Sequence, residues 1–273
     1  MGQSVMRIFV NEQPLELAEG LRLSRLRLEL RPDADVIIVN GHAISDDLPL
    51  ADGDRVTLIR RGDVPPAEEL EALLVARHTP GVHDRLKTAT VAIAGVGGLG
   101  SPVAIALARS GIGRLLLADF DVVEPSNLNR QQYFIDQIGL PKVEALKANL
   151  QRINPYVQVD AHRLRLGRNN IPSLFAAADI IVVAFDRPDQ KAMLVECCLA
   201  TWPQKPVVSA SGLAGFGPSN AIQTRRALGQ LILVGDGDSE ARPGEGLMAP
   251  RVGIAAHHQA NAVLRLLLGE EPA

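Results

Sequence analysis

The sequence predicts a small α+β domain followed by an α/β domain whose mainly parallel sheet is flanked by helices. From about residue 88 onward, apolar strand-like runs alternate with helix-like runs, which is typical of a parallel sheet. The first 61 residues instead show short β-type runs around one helix. We therefore expect domains at residues 1–61 and 88–273, with a linker and a helix across residues 62–87.

The first domain carries the pattern of half-buried strands separated by turn residues such as Asn40-Gly41. The expected elements are strands at Val5–Val10 and Leu15–Leu17, a helix at Leu21–Leu30, and strands at Asp35–Val39 and Arg55–Arg60. The order β-β-α-β-β fits a β-grasp domain of the ubiquitin-like type.

A linker rich in proline, Gly62–Pro66, separates this domain from a helix that we expect at Pro66–Arg77. Acids in its first turn, Glu68 and Glu69, suit the positive end of the helix dipole.

The second domain alternates strands with helices along most of its length. We expect strands at Thr90–Ala94, Leu115–Ala118, Gln158–His162, Asp179–Phe185, Pro206–Ala210 and within Ala221–Val234, and helices at Ser101–Ser110, Pro141–Ile153, Gln190–Thr201 and Val252–Leu268. The resulting architecture is Rossmann-like.

The most informative stretch is Gly95-Val96-Gly97-Gly98-Leu99-Gly100, between the first strand and the first helix of this domain. These glycines let backbone N–H groups approach a phosphate at a helix N-terminus. The next strand ends at Asp119, about 20 residues further on, where a carboxylate can accept hydrogen bonds from ribose hydroxyls. The order strand, glycine turn, helix, strand and acid predicts a nucleotide site.

Polar residues after Asp119 indicate which chemistry this nucleotide undergoes. Hydrogen-bond donors cluster at Asn127, Asn129, Arg130 and Gln131, and Lys142 follows at a helix start. A hydride-transfer enzyme has no evident use for this cluster, whereas reaction at a phosphate needs preorganised cations and amides. Asp186, at the end of another predicted strand, is placed to hold Mg²⁺.

Composition excludes several classes of protein. A net charge of −3 gives no field that favours nucleic acid, and no uncharged run approaches the roughly 20 residues that span a bilayer. The two cysteines, Cys197 and Cys198, are adjacent, which makes a disulfide framework implausible and suits a reducing compartment. With no signal peptide evident, we expect a cytoplasmic protein without nucleic-acid or membrane partners.

Together these motifs resemble the ThiF/MoeB/HesA family, relatives of the ubiquitin-activating enzymes. The resemblance covers roughly residues 77–269 and rests on Gly95–Gly100, Asp119–Asp121, Ser126–Gln131, Pro141-Lys142 and Asp186. It implies an adenylyltransferase that uses ATP and Mg²⁺ to activate the C-terminal glycine of a ThiS-like sulfur carrier. By resemblance the pathway is thiamine thiazole synthesis, in which a sulfurtransferase is a further partner, and the enzyme is a homodimer.

The resemblance also implies a role for each matched residue. It assigns catalysis to Asn127, Arg130, Lys142 and Asp186, with Asp186 acting through Mg²⁺, and nucleotide binding to Gly95, Gly97, Gly98, Gly100, Asp119, Asp121, Asn129 and Gln131. Arg77 corresponds loosely to an arginine that the family supplies upstream of the first strand, often from the other subunit.

Residues 1–61 resemble the carrier ThiS itself, but they depart from a functional carrier. A carrier ends in Gly-Gly with a free carboxylate, whereas this module runs through Arg61-Gly62-Asp63 and continues. Without a free terminus it offers no nucleophile, so we expect it to be degenerate as a substrate. Docking of a partner, covering of the cleft and dimerisation remain open as its role.

Two further departures concern metals. Many relatives carry two C-x-x-C pairs for zinc, but two adjacent cysteines cannot form a tetrathiolate site, so we expect no structural zinc. Both cysteines are expected to be core residues. Gly235-Asp236-Gly237-Asp238 resembles part of a calcium loop without its terminal acid, and we expect a flexible loop there.

Two other functions remain open at this point. An NAD(P)-dependent oxidoreductase would bind nicotinamide but leaves Asn127, Arg130 and Lys142 without a role. A regulatory or scaffold protein would bind ATP without exchanging pyrophosphate.

Overall fold

The computed structural model describes residues 5–62 and 67–273. The chain divides into two compact units, Met1–His83 and Asp84–Ala273.

The first unit is built around a five-stranded sheet with the order β2-β1-β5-β3-β4. Its elements are β1 (Val5–Val10), β2 (Gln13–Ala18), α1 (Leu23–Leu30), β3 (Val36–Val39), β4 (His42–Ile44) and β5 (Arg55–Ile59). The neighbouring strands β1 and β5 run parallel, and the other neighbours pair antiparallel. Alternate residues of β1 and β5 pack with Leu23 and Leu26 of α1 in one apolar core. The predicted β-grasp fold is confirmed.

Two short elements were missed, one in this unit and one that contains the boundary between the units in the sequence. Strand β4 has three residues and directly follows the Asn40-Gly41 turn, so it is too short to show an alternating pattern. After the gap at residues 63–66, where most of the predicted linker lies outside the described residues, the chain forms α2 (Ala67–Val75) and the unpredicted five-residue helix α3 (Val82–Leu86).

The second unit is an α/β layer structure with a seven-stranded sheet of order β11-β12-β10-β9-β6-β7-β8. Its elements are β6 (Thr90–Ala94), α4 (Gly100–Arg109), β7 (Arg114–Asp119), α5 (Lys142–Ile153), β8 (Gln158–Arg163), α6 (Ile171–Leu174), β9 (Ile180–Val183), α7 (Pro188–Thr201), β10 (Val207–Ala210), β11 (Gln223–Leu228), β12 (Leu231–Gly235) and α8 (Ala249–Leu267). Strands β12 to β8 pair in parallel, and β11 is an antiparallel edge strand. The predicted Rossmann-like architecture is confirmed, with the one-turn helix α6 as an addition.

Central strands of this sheet are buried on both faces, which is why they are continuous apolar runs. All four residues of β9 are buried, as are those of β10. Cys197 and Cys198 of α7 are buried in the adjoining core, as predicted. Burial raises the pKa of the Cys198 thiol to about 12, so it carries no thiolate near neutral pH.

The strand order reverses between β6 and β9. From β6 the chain moves through β7 to β8, and then returns to β9 and β10 on the other side. A crevice forms outside the carboxyl ends of the strands at such a switch point, where α/β proteins bind ligands. Gly95 follows β6 and Asp186 follows β9, so the fold brings both to this crevice. Among the helices that the structure describes, none combines the length and apolar character needed to span a bilayer.

Candidate nucleotide site

Two glycines of the turn are required by its backbone. Gly95 has φ +87°, and a Cβ built there would lie 2.9 Å from the Phe185 ring. A Cβ at Gly100 would lie 1.9 Å from the Gly95 carbonyl oxygen, which no side chain could tolerate. The turn therefore folds tightly on itself and against the residue that precedes Asp186.

Gly97 and Gly98 are less tightly packed than Gly95 and Gly100, although neither lies against open space. The nearest neighbours of a Cβ at these positions are Gln131 Nε2 at 3.6 Å and Arg130 Cγ at 3.3 Å, respectively. The helix that follows, α4, has no side-chain hydrogen bond at its N-cap and no acid in its first turn. An uncapped helix N-terminus beside two glycines, which carry no side chain to cover their backbone, is a favourable place for an anion.

Asp119 holds the turn in place. Its buried carboxylate accepts the Val96 N–H at 2.8 Å through Oδ2 and the Asp121 N–H at 2.9 Å through Oδ1. Because a carboxylate offers about four lone-pair sites, the same group can still accept hydroxyl donors.

Lys142 is fixed at the same edge by Asp121. Its Nζ lies 3.0 Å from Asp121 Oδ2, and its N–H donates to the Asp121 carbonyl at 3.0 Å. The lysine side chain is 8% exposed and the aspartate side chain 47%. The buried ammonium therefore has a solvent-accessible counter-ion, which an incoming anion could replace.

Asn127 fixes the backbone of residues 127–131, the segment of hydrogen-bond donors, which we call the donor segment. Its Oδ1 accepts the Glu124 N–H at 3.1 Å, and its carbonyl accepts the N–H groups of Arg130 and Gln131. The Arg130 guanidinium donates to Asn129 Oδ1 at 2.8 Å. Gln131 is buried, and within the described residues its Oε1 has no hydrogen-bond partner. A buried acceptor without a donor costs free energy, so this atom suits a ligand that donates.

Asp186 is exposed just beyond β9. Within the part of the chain that the structure describes, no group of three or more His, Cys, Asp or Glu residues could enclose a metal. Mg²⁺ bound with a nucleotide needs only one or two carboxylates, because phosphates and water complete its shell, so a single exposed carboxylate fits this ion.

Two residues at this edge were missed by the sequence analysis. The Tyr133 hydroxyl donates to the Val96 carbonyl at 2.6 Å, and Lys191 Nζ donates to the Ala210 carbonyl at 2.7 Å. Burial raises the pKa of Tyr133, and the charges of Asp119 and Asp121 raise it further, so the hydroxyl stays protonated. Burial lowers the pKa of Lys191, against the opposing charge of Asp186. No motif marks either residue, since each contact depends on the folded chain.

Arg77 lies in the first unit, apart in sequence from the other predicted residues, and its role stays a prediction.

The segment predicted to be a flexible loop, residues 235–238, makes specific contacts through Asp236. Asp236 forms an ion pair with Arg251, whose side chain is 5% exposed, and Asp236 Oδ1 accepts the N–H groups of Asp238 and Ser239 at 2.9 Å. Burial alone would raise the pKa of Asp236, but these hydrogen bonds and Arg251 outweigh it and hold the pKa at about 2. The loop is thus tied to the start of α8.

A glycine turn at the switch point of a parallel sheet, with cations and amides near it, is typical of nucleotide-binding α/β proteins. The chain belongs to the ThiF family, which it matches over residues 71–273, and it carries a ThiS-like ubiquitin domain at residues 6–62. Both resemblances predicted from the motifs are confirmed.

A curated relative, the adenylyltransferase and sulfurtransferase uba4 of Pyricularia oryzae, is 34% identical over 197 residues, which cover 67% of this chain and 40% of the relative. This chain spans between 20% and 56% of the length of the curated relatives it matches.

Solved structures support the same fold. Escherichia coli TcdA, a tRNA N6-threonylcarbamoyladenosine dehydratase solved with ATP, has a TM-score of 0.64 at 22% identity, covering 76% of this chain and 97% of its own. Escherichia coli MccB, also solved with ATP, has a TM-score of 0.53 at 27% identity, covering 74% of this chain and 60% of its own.

Proposed function

We propose that this chain is an ATP-dependent adenylyltransferase that acts on the C-terminal carboxylate of a ubiquitin-like sulfur carrier. The observation that carries the proposal is the pair Gly97 and Gly98 at an uncapped helix N-terminus, with Arg130 beside Gly98 and Lys142 connected to the turn through Asp121 and Asp119. Oriented N–H groups and cations around one turn suit a polyphosphate. The name of the Pyricularia oryzae relative and the ATP in the MccB and TcdA structures support the same choice.

Each residue of the site has a part in this proposal. Gly97 and Gly98 bind phosphates, while Gly95 and Gly100 shape the turn. Asp119 accepts the ribose hydroxyls. Arg130 and Lys142 meet the charge that develops on the phosphates, and the remaining predicted residues, Asp121, Asn127, Asn129 and Gln131, hold these groups or line the nucleotide.

The reaction needs no general base, because a carboxylate is already ionised near neutral pH. One oxygen of the carrier carboxylate attacks the α-phosphorus, and a new O–P bond forms. The bond from that phosphorus to the oxygen bridging the β-phosphate breaks, and pyrophosphate leaves with the electron pair. Positioning and charge neutralisation by the protein then account for the rate.

Mg²⁺ bound with ATP would draw negative charge from the phosphates, and Asp186 is the residue that would hold it. No structural zinc is part of the proposal.

The finer assignment is a ThiS-type carrier and thiamine thiazole synthesis, supported by the family to which each domain belongs. The fused ThiS-like module is not the substrate in this proposal, because the chain continues beyond Gly62. We further propose a cytoplasmic homodimer in which Arg77 serves the site of the other subunit, and a sulfurtransferase that receives the activated carrier.

The proposal predicts that a separate ThiS-like carrier gains the mass of an adenylyl group when it is incubated with the protein, ATP and Mg²⁺. The control is the same carrier with a C-terminal amide, which cannot attack and gains no mass. Intact-mass spectrometry of the carrier makes the measurement.

Lys142→Met should slow this adenylation about 100-fold, because one preorganised charge at the phosphates is lost. The matched control is Lys147→Met, on the same helix but not part of the proposed site. Equal rates for the Lys142 variant and the wild type would contradict the role of this lysine. Adenylation of the amidated carrier would contradict the proposed nucleophile.

A further inference from the structure

The carbonyl groups of the glycine turn are held by two hydroxyls that no motif predicted to act there. Tyr133 Oη donates to the Val96 carbonyl at 2.6 Å, and Ser101 Oγ donates to the Gly97 carbonyl at 2.6 Å. Both donors belong to the second unit and pack against the turn. Tyr133 is 6% exposed and Ser101 is fully buried.

These contacts also fix the direction of the neighbouring N–H groups. In a planar trans peptide the C=O and the N–H point in opposite directions. The Val96 carbonyl shares its peptide with the Gly97 N–H, so the bond to Tyr133 points that N–H away from the tyrosine. The Gly97 carbonyl likewise shares its peptide with the Gly98 N–H. Ser101 holds this carbonyl through two bonds, from its hydroxyl and, at 3.0 Å, from its backbone N–H.

Within the described residues, neither the Gly97 N–H nor the Gly98 N–H donates to a protein acceptor. The Val96 N–H, by contrast, is already used by Asp119 at 2.8 Å. The turn therefore presents two consecutive N–H donors that no described residue accepts, and the hydrogen bonds to the carbonyls of the same peptides set their orientation. Neither glycine carries a side chain that could cover these donors.

We infer that Tyr133 and Ser101 are positioning residues that aim the Gly97 and Gly98 N–H groups at a phosphate of the bound nucleotide. The inference rests on the proposed function, since it presumes that the turn binds phosphate. Tyr133 reaches the turn from just beyond the donor segment, directly after Gln131 and Gln132. Ser101 also accepts the Gln132 N–H at 3.1 Å, so the same pair of hydroxyls ties that segment to the turn.

Removal of one hydroxyl while its ring stays in place is the direct test. In Tyr133→Phe the ring still fills its buried site, but the Val96 carbonyl loses its donor. The affinity for ATP should fall about 10-fold, whereas the affinity for adenosine, which has no phosphate, should stay within about twofold of wild type. Calorimetric titration of the full-length protein measures both. The chain's other tyrosine supplies the matched control, Tyr156→Phe, which should bind both ligands as wild type does.

Hydrogen exchange gives a readout that does not depend on any ligand. Amides of the peptide spanning residues 95–100 should exchange faster in Tyr133→Phe than in the wild type, and those of the β-grasp unit should not change.

Each outcome decides the inference. Equal ATP affinity in Tyr133→Phe and wild type would overturn the inference. An equal loss of affinity for ATP and adenosine would also overturn it, because the hydroxyl would then have no specific effect on phosphate binding. If Tyr133→Phe does not fold, Ser101→Ala tests the same claim at the Gly98 N–H. Because the backbone N–H of residue 101 still holds the Gly97 carbonyl, a smaller selective loss of ATP affinity, about threefold, is expected, and unchanged ATP affinity overturns the claim. If the wild-type protein binds no ATP, the proposed function itself fails, which calorimetry of that protein alone reveals.

Discussion

Asp236 and Arg251 form a mostly buried ion pair that joins the loop after β12 to α8. Loss of one partner from such a pair leaves an uncompensated buried charge, which costs about 3–5 kcal/mol. Asp236→Asn should therefore lower the free energy of unfolding at pH 7 by about 3 kcal/mol. Asp238→Asn, an exposed neighbour, is the control and should change it little.

The same pair gives a pH dependence with a definite sign. The folded-state pKa of Asp236, about 2, lies below its ordinary value of 3.8. The unfolded chain therefore takes up the proton first, and the stabilisation by this carboxylate is complete above about pH 4 and lost as pH falls towards 2. The difference in unfolding free energy between wild type and Asp236→Asn, measured by urea titration, should shrink across that window. A constant difference from pH 7 to pH 2 would contradict this account.

Single residues show how far sequence reasoning reaches into the site. Asp119 and Gly95 were found because a linear motif fixes their spacing, and the structure brings them into one network through Val96. Tyr133 and Lys191 were missed because their partners are backbone carbonyls 37 and 19 residues away, a distance that no motif encodes. The ion pair of Asp236 was not predicted because its partner Arg251 lies beyond the loop.

At the scale of elements, alanine substitutions at two glycines near the start of α4 should have contrasting effects on stability. A Cβ at Gly100 meets the Gly95 carbonyl at 1.9 Å, so Gly100→Ala must displace the turn. We expect it to lower the free energy of unfolding by about 2 kcal/mol, as overpacking does, and to weaken ATP binding.

Gly97→Ala should behave differently, since its nearest neighbour lies at 3.6 Å. Its unfolding temperature should match the wild type, while its ATP affinity falls about 10-fold because the methyl group occupies the approach to the turn. Calorimetric melting and titration of both variants check this. Loss of stability in Gly97→Ala, or full stability in Gly100→Ala, would be the contrary result.

Elements with a strong period were predicted and short ones were not. The buried strand β9 and the long helices α5 and α8 follow from apolar runs and helical spacing. Strand β4 and helices α3 and α6 have three to five residues each, too few to establish a period. Their existence depends on the hairpin turn at Asn40-Gly41 and on packing, which act only in the folded chain.

At the scale of the whole molecule, the chain combines a ThiS-like unit with a ThiF-family unit. The fold class of both units followed from the order of strands and helices, because that order restricts a parallel sheet to few topologies. The function of each unit does not follow from its fold, because function depends on sites rather than on folds. The central claim is that the second unit activates a separate carrier.

Exchange of label between pyrophosphate and ATP, with Mg²⁺ present, tests that claim most directly. The account predicts exchange only when a free ThiS-like carrier ending in Gly-Gly is added, loss of exchange in Asp186→Ala, and retention in Asp189→Ala, whose exposed carboxylate pairs with Arg187 instead. Exchange without added carrier would show that the fused module is itself activated. No exchange with any carrier, despite tight ATP binding, would contradict adenylation and favour a protein that binds the nucleotide without turnover.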